Sequence, residues 1–592
     1  MMVLQELLFP APDLCGAPEM YFRSDGAVPA RDTARLEKGA SISADTFFNA
    51  FSVGKWRGYT RLDNLSLRLE VEGAARVALT HIHAAQDGAA RSVLAERALN
   101  VPGGGTVELA FPGPLPEDGL LAFALTAEGE GAVLRGGSYC TKVNEAELND
   151  VDIAIDICTY RREAYVEGNL ALLNETFLNN PDSELRKHLE IYVSDNGQTL
   201  EAARLESDRV HIFKNRNTGG AGGFARGMLE IMDSPRRFSH VLLMDDDVLI
   251  SADALLRTYR LLRLLRAEFA GKTIAGSLMR LDARHVQYES GAVWDGLEPR
   301  PRKENLDLRT LKNVLENERE ERLDFNGWWY SCVPMAKIRP DNLPLPVFVH
   351  RDDVEFGLRT GSDILTLNGI CVWHESFDNR YSSSMVYYET RNDLILNALH
   401  RPRFSGMDAV KLMARKLIVN VIRYRYHDCE RVLKGVDDFC AGADFLMGAD
   451  AEALNRQIMG NAYRFEPVEK LEIPFDERQY LDSLEKGKTR KVMLRVLFLN
   501  GLFLPAQGTN VVNAATCWPR TCYRKKALLN YDRTTDRGFV TRRSFAKSIS
   551  MVLRMIGRAL RLLRCYPAAA ESYHVARGQM TSREFWTGYL NL

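Results

Sequence analysis

Asp245, Asp246 and Asp247 stand side by side at the end of the apolar run Val241-Leu242-Leu243-Met244. Adjacent carboxylates repel one another, and a strand end leaving a core desolvates them, so a cation has to compensate. In a short extended stretch the first and third side chains share a direction. Asp245 and Asp247 therefore read as ligands of a hard divalent ion, Mg²⁺ or Mn²⁺, of the kind that bridges to substrate phosphates. The alternative without chemistry is a solvated acidic turn. A second acidic pair, Asp352 and Asp353, follows Pro346-Val347-Phe348-Val349-His350-Arg351 and opens a helical segment. There the two acids either serve the helix dipole or supply a general base for a hydroxyl nucleophile. His374 closes an apolar run from Ile364 and is either a packed histidine or a third metal ligand beside Asp245 and Asp247. Trp328 and Trp329 are core, or a platform on which a sugar face stacks.

The elements that must carry these residues are legible in the periodicity. Residues 148–400 alternate short continuous apolar runs with helical segments, the pattern of an α/β sheet. Open α/β sheets bind ligands beyond the carboxyl ends of their strands. Four successive strands are expected to end in Thr159-Tyr160-Arg161-Arg162, Asp195-Asn196, Asn215-Arg216-Asn217 and the triple aspartate. Gly219-Gly220-Ala221-Gly222-Gly223 follows the third of these and opens a helix, so that backbone amides can approach a phosphate or sugar. It is neither a P-loop nor a dinucleotide fingerprint.

Residues 1–147 alternate strictly in segments such as Leu65 to Glu72, separated by Gly and Pro clusters, which predicts a β-sandwich. Its aromatic segment from Phe47 to Trp56 reads as core or interdomain packing. Residues 401–592 read as a mostly helical region. Phe545, Ile549, Val552, Leu553, Ile556, Leu560 and Leu563 fall at helical spacing, with Lys547, Arg554, Arg558 and Arg561 on another face. Such a helix either docks on the protein or lies on a membrane surface.

Composition narrows the classes. A chain of 592 residues with 46% hydrophobic and 26% charged residues is globular, neither disordered nor fibrous, and long enough for two or three domains. Its ten cysteines include no CxxC pair and no regular spacing, which excludes a zinc ribbon and a disulfide framework and suits a reducing cytoplasm. No signal peptide is legible, and the longest apolar run, residues 492–505, is broken by Arg495 and Asn500 and is too short to span a bilayer. The net charge of −1 hides an asymmetry: residues 481–592 hold 20 Lys and Arg against 6 Asp and Glu. A basic end on an acidic body predicts an anionic membrane surface as partner, rather than nucleic acid.

Taken together, Thr159 to Arg162, Asp195-Asn196, Asn217 to Gly220, the triple aspartate, Trp328-Trp329, Asp352-Asp353 and Trp373-His374 occur in the order that resembles the inverting family 2 glycosyltransferases of GT-A fold. The likeness is greatest to the polymerising galactofuranosyltransferases of bacterial galactan synthesis, and it extends to Phe48-Asn49-Ala50-Phe51 and Trp56-Arg57 in the N-terminal region. The resemblance implies transfer of galactofuranose from UDP-galactofuranose to a lipid-linked glycan at the inner membrane face. It also implies Mn²⁺ or Mg²⁺ on Asp245, Asp247 and His374, with Asp353 as the base. Thr159, Arg162, Asp195, Asn217, Gly219, Gly220, Asp246, Trp328, Trp329 and Asp352 would then bind substrate. Self-association is a further family expectation. Glu389 and Arg351 depart from the histidine and tryptophan expected there, which leaves acceptor and linkage open. The competing readings are a related transferase with another nucleotide sugar, such as a rhamnosyl donor, and a carbohydrate-binding protein with a degenerate transferase domain.

Overall fold

A computed structural model describes all residues except 87, 362, 378–380, 461 and 486–497. Part of the long apolar run, residues 492–497, therefore lies outside the described residues. Among the described residues no helix is long and apolar enough to cross a membrane.

The N-terminal unit is one six-stranded antiparallel sheet in which three strands, Ser66–Ala85, Gly88–Ala110 and Leu120–Thr141, supply most of the pairing. All six strands share one hydrogen-bonded sheet, with register shifts at points such as Val71/Gly73. The Phe47 to Trp56 segment is buried and does pack between units. Phe48 lies against Trp373, with ring centroids 6.3 Å apart, and its carbonyl accepts a hydrogen bond from the buried Arg257 at 2.7 Å.

The central unit is a mixed ten-stranded sheet. Its parallel part runs β1 (Ile153–Thr159), β2 (Leu189–Asp195), β3 (Val210–Lys214) and β4 (His240–Asp245), in spatial order β4-β1-β2-β3. β1 and β4 are buried along nearly their whole length because both faces are covered, whereas β2 and the edge strand β3 keep half-exposed Glu190 and His211. Beyond β4 the order continues through β6 (Ser331–Pro334) and β5 (Thr273–Arg280) to β7 (Ile364–His374). β6 is antiparallel to both β4 and β5, and β7 is parallel to β5, so β4 and β7 end at the same edge. That topology brings His374 beside the triple aspartate across 127 residues of sequence.

The helices that matter for this edge are α1 (Glu163–Leu173), α2 (Gly219–Asp233) and α3 (Asp352–Thr360). Then follow α4 (Met385–His400), α5 (Gly406–Ile422) and α6 (Tyr426–Cys440), and near the end α7 (Phe545–Met580) and α8 (Arg583–Leu590). The C-terminal region is helical as expected but also holds a four-stranded sheet with strands at 466–467, 509–513, 527–532 and 537–542. These strands are six residues or fewer and scattered between Pro and Gly breaks, so they leave little periodic signal. One disulfide, Cys440–Cys565, joins α6 to α7, a pairing that irregular cysteine spacing does not announce.

The amphipathic helix α7 is oriented in an informative way. Its basic residues face the protein: Arg554 pairs with Glu430, while Arg558 and Arg561 both pair with Asp437 on α6. The apolar stripe faces outward, with Leu553, Ile556 and Leu560 exposed at 62%, 50% and 55%. The helix is docked through buried Met551, Leu562, Tyr566 and Tyr573, and its paired arginines stay partly exposed. After α7 the chain returns to the central unit, where α8 buries Trp586 against α2 and Trp586 donates its indole N–H to the Pro344 carbonyl at 2.9 Å.

Candidate active site

The strand ends assemble around Asp246. Thr159 at the end of β1 donates its hydroxyl to Asp246 Oδ2 at 2.7 Å, and Arg162 donates to Asp246 Oδ1 at 3.1 Å. Arg162 also pairs with Asp247. Asn169 on α1 donates to the main-chain oxygens of Asp246 and Val248, both at 3.1 Å, and so fixes the turn that presents the acids. Sequence reading misses Asn169, since a lone amide inside a helix carries no motif.

Asp245, Asp247 and His374 each offer a ligand atom within 4.8 Å of the others. His374 Nε2 lies 3.2 Å from Asp247 Oδ1, and its Nδ1 is 2.6 Å from the Glu375 carbonyl oxygen, which orients the ring. Burial, with the neighbouring Asp247, pushes the Asp245 carboxyl up to about 7. Two carboxylates and an imidazole so placed could hold a divalent cation.

Two predicted residues are engaged in local structure. Asp195 accepts the amides of Gly197 and Leu200 at 3.0 and 2.8 Å, shaping its own turn, and Asn217 accepts the Gly219 amide at 3.2 Å. The glycines likewise admit protein atoms. Gly219 has φ +73°, and a Cβ there would lie 2.1 Å from the Phe348 carbonyl oxygen. A Cβ on Gly220 would lie 3.2 Å from Asp352 Oδ2, so Asp352 sits against the start of α2.

A cleft of about 610 Å³ opens beside these strand ends. Of the predicted residues, Asp245, Gly220, Trp328, Trp329, Asp352 and Asp353 line it; Thr159, Arg162, Asp195, Asn217, Gly219, Asp246, Asp247 and His374 do not. Both tryptophans are largely core. Trp328 packs edge-on against Phe224, with centroids 4.9 Å apart, and Trp329 donates to the Gly276 carbonyl at 3.0 Å. Burial raises the Asp353 carboxyl to about 6. Glu289, which no motif marks, also lines the cleft; burial and the nearby Asp353 charge push it up to about 8.

The pair Asp352-Asp353 is delivered by strained backbone. Phe348, His350 and Arg351 have φ of 74°, 62° and 74°, in the left-handed region. Such conformations cost about 1–3 kcal/mol each and persist only where the surroundings enforce them. Asn392 on α4 does so by donating to the carbonyls of Val347, Val349 and His350 at 3.2, 2.9 and 2.8 Å. Arg391 adds a bond to the Val347 carbonyl at 2.7 Å. Arg351 itself pairs with the buried Asp393 at 2.7 Å, and Glu389 stands 3.6 Å from His350 and 3.8 Å from Lys416.

Residues 19–141 match the family described as Galactofuranosyltransferase 2 N-terminal. The chain is 26% identical to galactofuranosyltransferase GlfT2 of Mycolicibacterium smegmatis over 95% of its own length and 91% of that protein. It is 26% identical to GlfT2 of Mycobacterium tuberculosis over 72% of its length and 69% of that protein. The C-terminal CBM6 module of LamC from Zobellia galactanivorans is 15% identical and covers 23% of this chain and all of the module, at a TM-score of 0.15, which carries no argument.

Proposed function

We infer that this chain is a glycosyltransferase of the galactofuranosyltransferase kind, on its likeness to the two GlfT2 proteins over most of its length. We propose that it is a metal-dependent, inverting enzyme of GT-A fold that moves galactofuranose from UDP-galactofuranose to a hydroxyl of a glycan acceptor. The observation that carries the reading is that one cleft holds Asp353 together with Asp245 of the acid cluster.

In this reading Asp353 takes the proton from the acceptor hydroxyl, and the resulting nucleophile attacks the anomeric carbon opposite the departing UDP. A single displacement inverts that centre. Mn²⁺ or Mg²⁺ on Asp245, Asp247 and His374, when bound, supplies the positive charge that stabilises a leaving diphosphate. Arg162 and Thr159 hold Asp246 and so set the direction in which its neighbours point. Asp195, Asn217 and Gly219 shape the turns of the donor side, and the cleft edges of Gly220, Trp328, Trp329 and Asp352 take the sugar in this reading. Asp353→Asn tests this directly: donor affinity stays while turnover falls by a factor of ~10² or more, and unchanged turnover removes Asp353 from the role.

A donor other than UDP-galactofuranose would use the same diphosphate machinery, and a panel of nucleotide sugars separates the two. Against a binding-only role stand the grouping of Asp245, Asp247 and His374 and the cleft that Asp245 shares with Asp353. The outward apolar stripe of α7, joined by exposed Phe503 against Phe545, supports peripheral attachment to an anionic membrane surface near a lipid-linked acceptor.

A further inference from the structure

The cleft does not end at the base. A second chamber of about 820 Å³ shares Glu298, His350, Phe377, Glu389, Arg415 and Lys416 with it and runs on toward the end of α5. Its charge is unbalanced. Arg415, Lys416, Arg423 and Arg425 line it against two acids, Glu298 and Glu389. Arg415 is 3.4 Å from Glu298, and Lys416 is 2.7 Å from Asp393 behind the wall. Arg425 is occupied by the Asn530 oxygen at 2.8 Å and by the Tyr381 ring at 4.3 Å.

Arg423 is different. Its Nε donates to the Cys517 carbonyl at 2.8 Å, and it enters no ion pair among the described residues. Burial and the adjacent Arg425 lower its pKa, with no carboxylate among the groups that oppose them. An arginine fork in a concave, partly dry site with no carboxylate partner among the described residues is the arrangement that receives a carboxylate or phosphate.

We propose that this chamber is an acceptor subsite for an anionic substituent, received by Arg423 with Arg415 and Lys416 beside it, so that the acceptor is a glycan bearing a carboxylate or a phosphate away from the reacting hydroxyl. The inference rests on the transferase reading, because it assigns the chamber to the acceptor.

The test uses a galactofuranose disaccharide as its neutral methyl glycoside and as carboxymethyl and phosphoryl derivatives at the reducing end. Binding of each to the full-length protein is titrated calorimetrically, and transfer kinetics are measured alongside. An anionic derivative is expected to bind at least ~10-fold tighter than the neutral one, with a preference that shrinks as salt rises. The carboxymethyl and phosphoryl arms tell which anion is meant. Arg423→Gln should bring the ratio to near one, and Arg423→Lys should restore part of it, while Arg415→Gln weakens it without touching the Cys517 contact. Equal affinities in the wild type, or an Arg423→Gln protein that loses neutral and anionic binding alike, would overturn the subsite. Release of UDP from UDP-galactofuranose with the neutral disaccharide and Mn²⁺ present reads the parent assignment separately: its absence removes the transferase reading, whereas the affinity ratio judges the chamber.

Discussion

Asp353 has to be ionised to accept a proton, yet burial holds its carboxyl near 6, above the ordinary value of about 4. The sign follows: above pH 6 the base is available, and below it the protonated fraction grows. The acidic limb of kcat/KM is therefore expected to break near pH 6 and fall about tenfold per unit below it. A pH profile of wild-type turnover checks this, and a flat profile down to pH 4.5 would contradict it. His374 has a separate role, since its Nδ1 contact with the Glu375 carbonyl oxygen leaves Nε2 toward Asp247. His374→Ala should raise the Mn²⁺ concentration needed for half-maximal activity by ~10-fold or more, with turnover partly recovered at saturating metal. Recovery at unchanged metal concentration would take His374 out of the ligand set.

At the scale of elements, the two halves of the cleft are held by different devices. α2 starts where Gly219 lets the Phe348 carbonyl approach, and that carbonyl accepts the Ala221 amide at 3.1 Å. Gly219→Ala places a methyl group into this contact at a positive φ, so a loss of about 1–3 kcal/mol of stability is expected from the strain and the clash together. Thermal unfolding of the variant measures it. α4 holds the loop before α3 through Asn392, so Asn392→Ala should lower kcat by ~10-fold or more while the donor KM stays within about twofold; a change confined to stability would make Asn392 structural only. These devices also mark where the sequence is readable. β1 to β4 are legible because buried parallel strands are continuous apolar runs and each ends in polar residues. The strained Phe348 to Arg351 segment is not, because Phe, His and Arg carry no sign of positive φ. The sequence offers His374 as a partner of Asp245 and Asp247 only as one of two readings, because the choice depends on the order of β4, β6, β5 and β7, and the short C-terminal strands lack enough residues to show a period.

At the scale of the whole molecule, the N-terminal sheet and the C-terminal helices both brace the central unit, through Phe48 with Arg257 on one side and Trp586 with Pro344 on the other. The helical spacing of α7 is legible in sequence, but not its orientation: Met551, Leu562, Tyr566 and Tyr573 are the buried face, and Glu430 and Asp437 pair with the arginines beside it. The exposed apolar stripe then needs a surface to lie on. Leu553→Glu with Leu560→Glu should abolish co-sedimentation with anionic liposomes while leaving turnover of a water-soluble acceptor intact; unchanged sedimentation would contradict the membrane role, and a change in particle mass alone would assign the stripe to contacts between copies. The decisive experiment is UDP release from UDP-galactofuranose, with a glycan acceptor and Mn²⁺, against a panel of other nucleotide sugars and against EDTA. The account predicts turnover with UDP-galactofuranose that EDTA abolishes and Mn²⁺ restores. Turnover indifferent to EDTA, or confined to another donor, would contradict it.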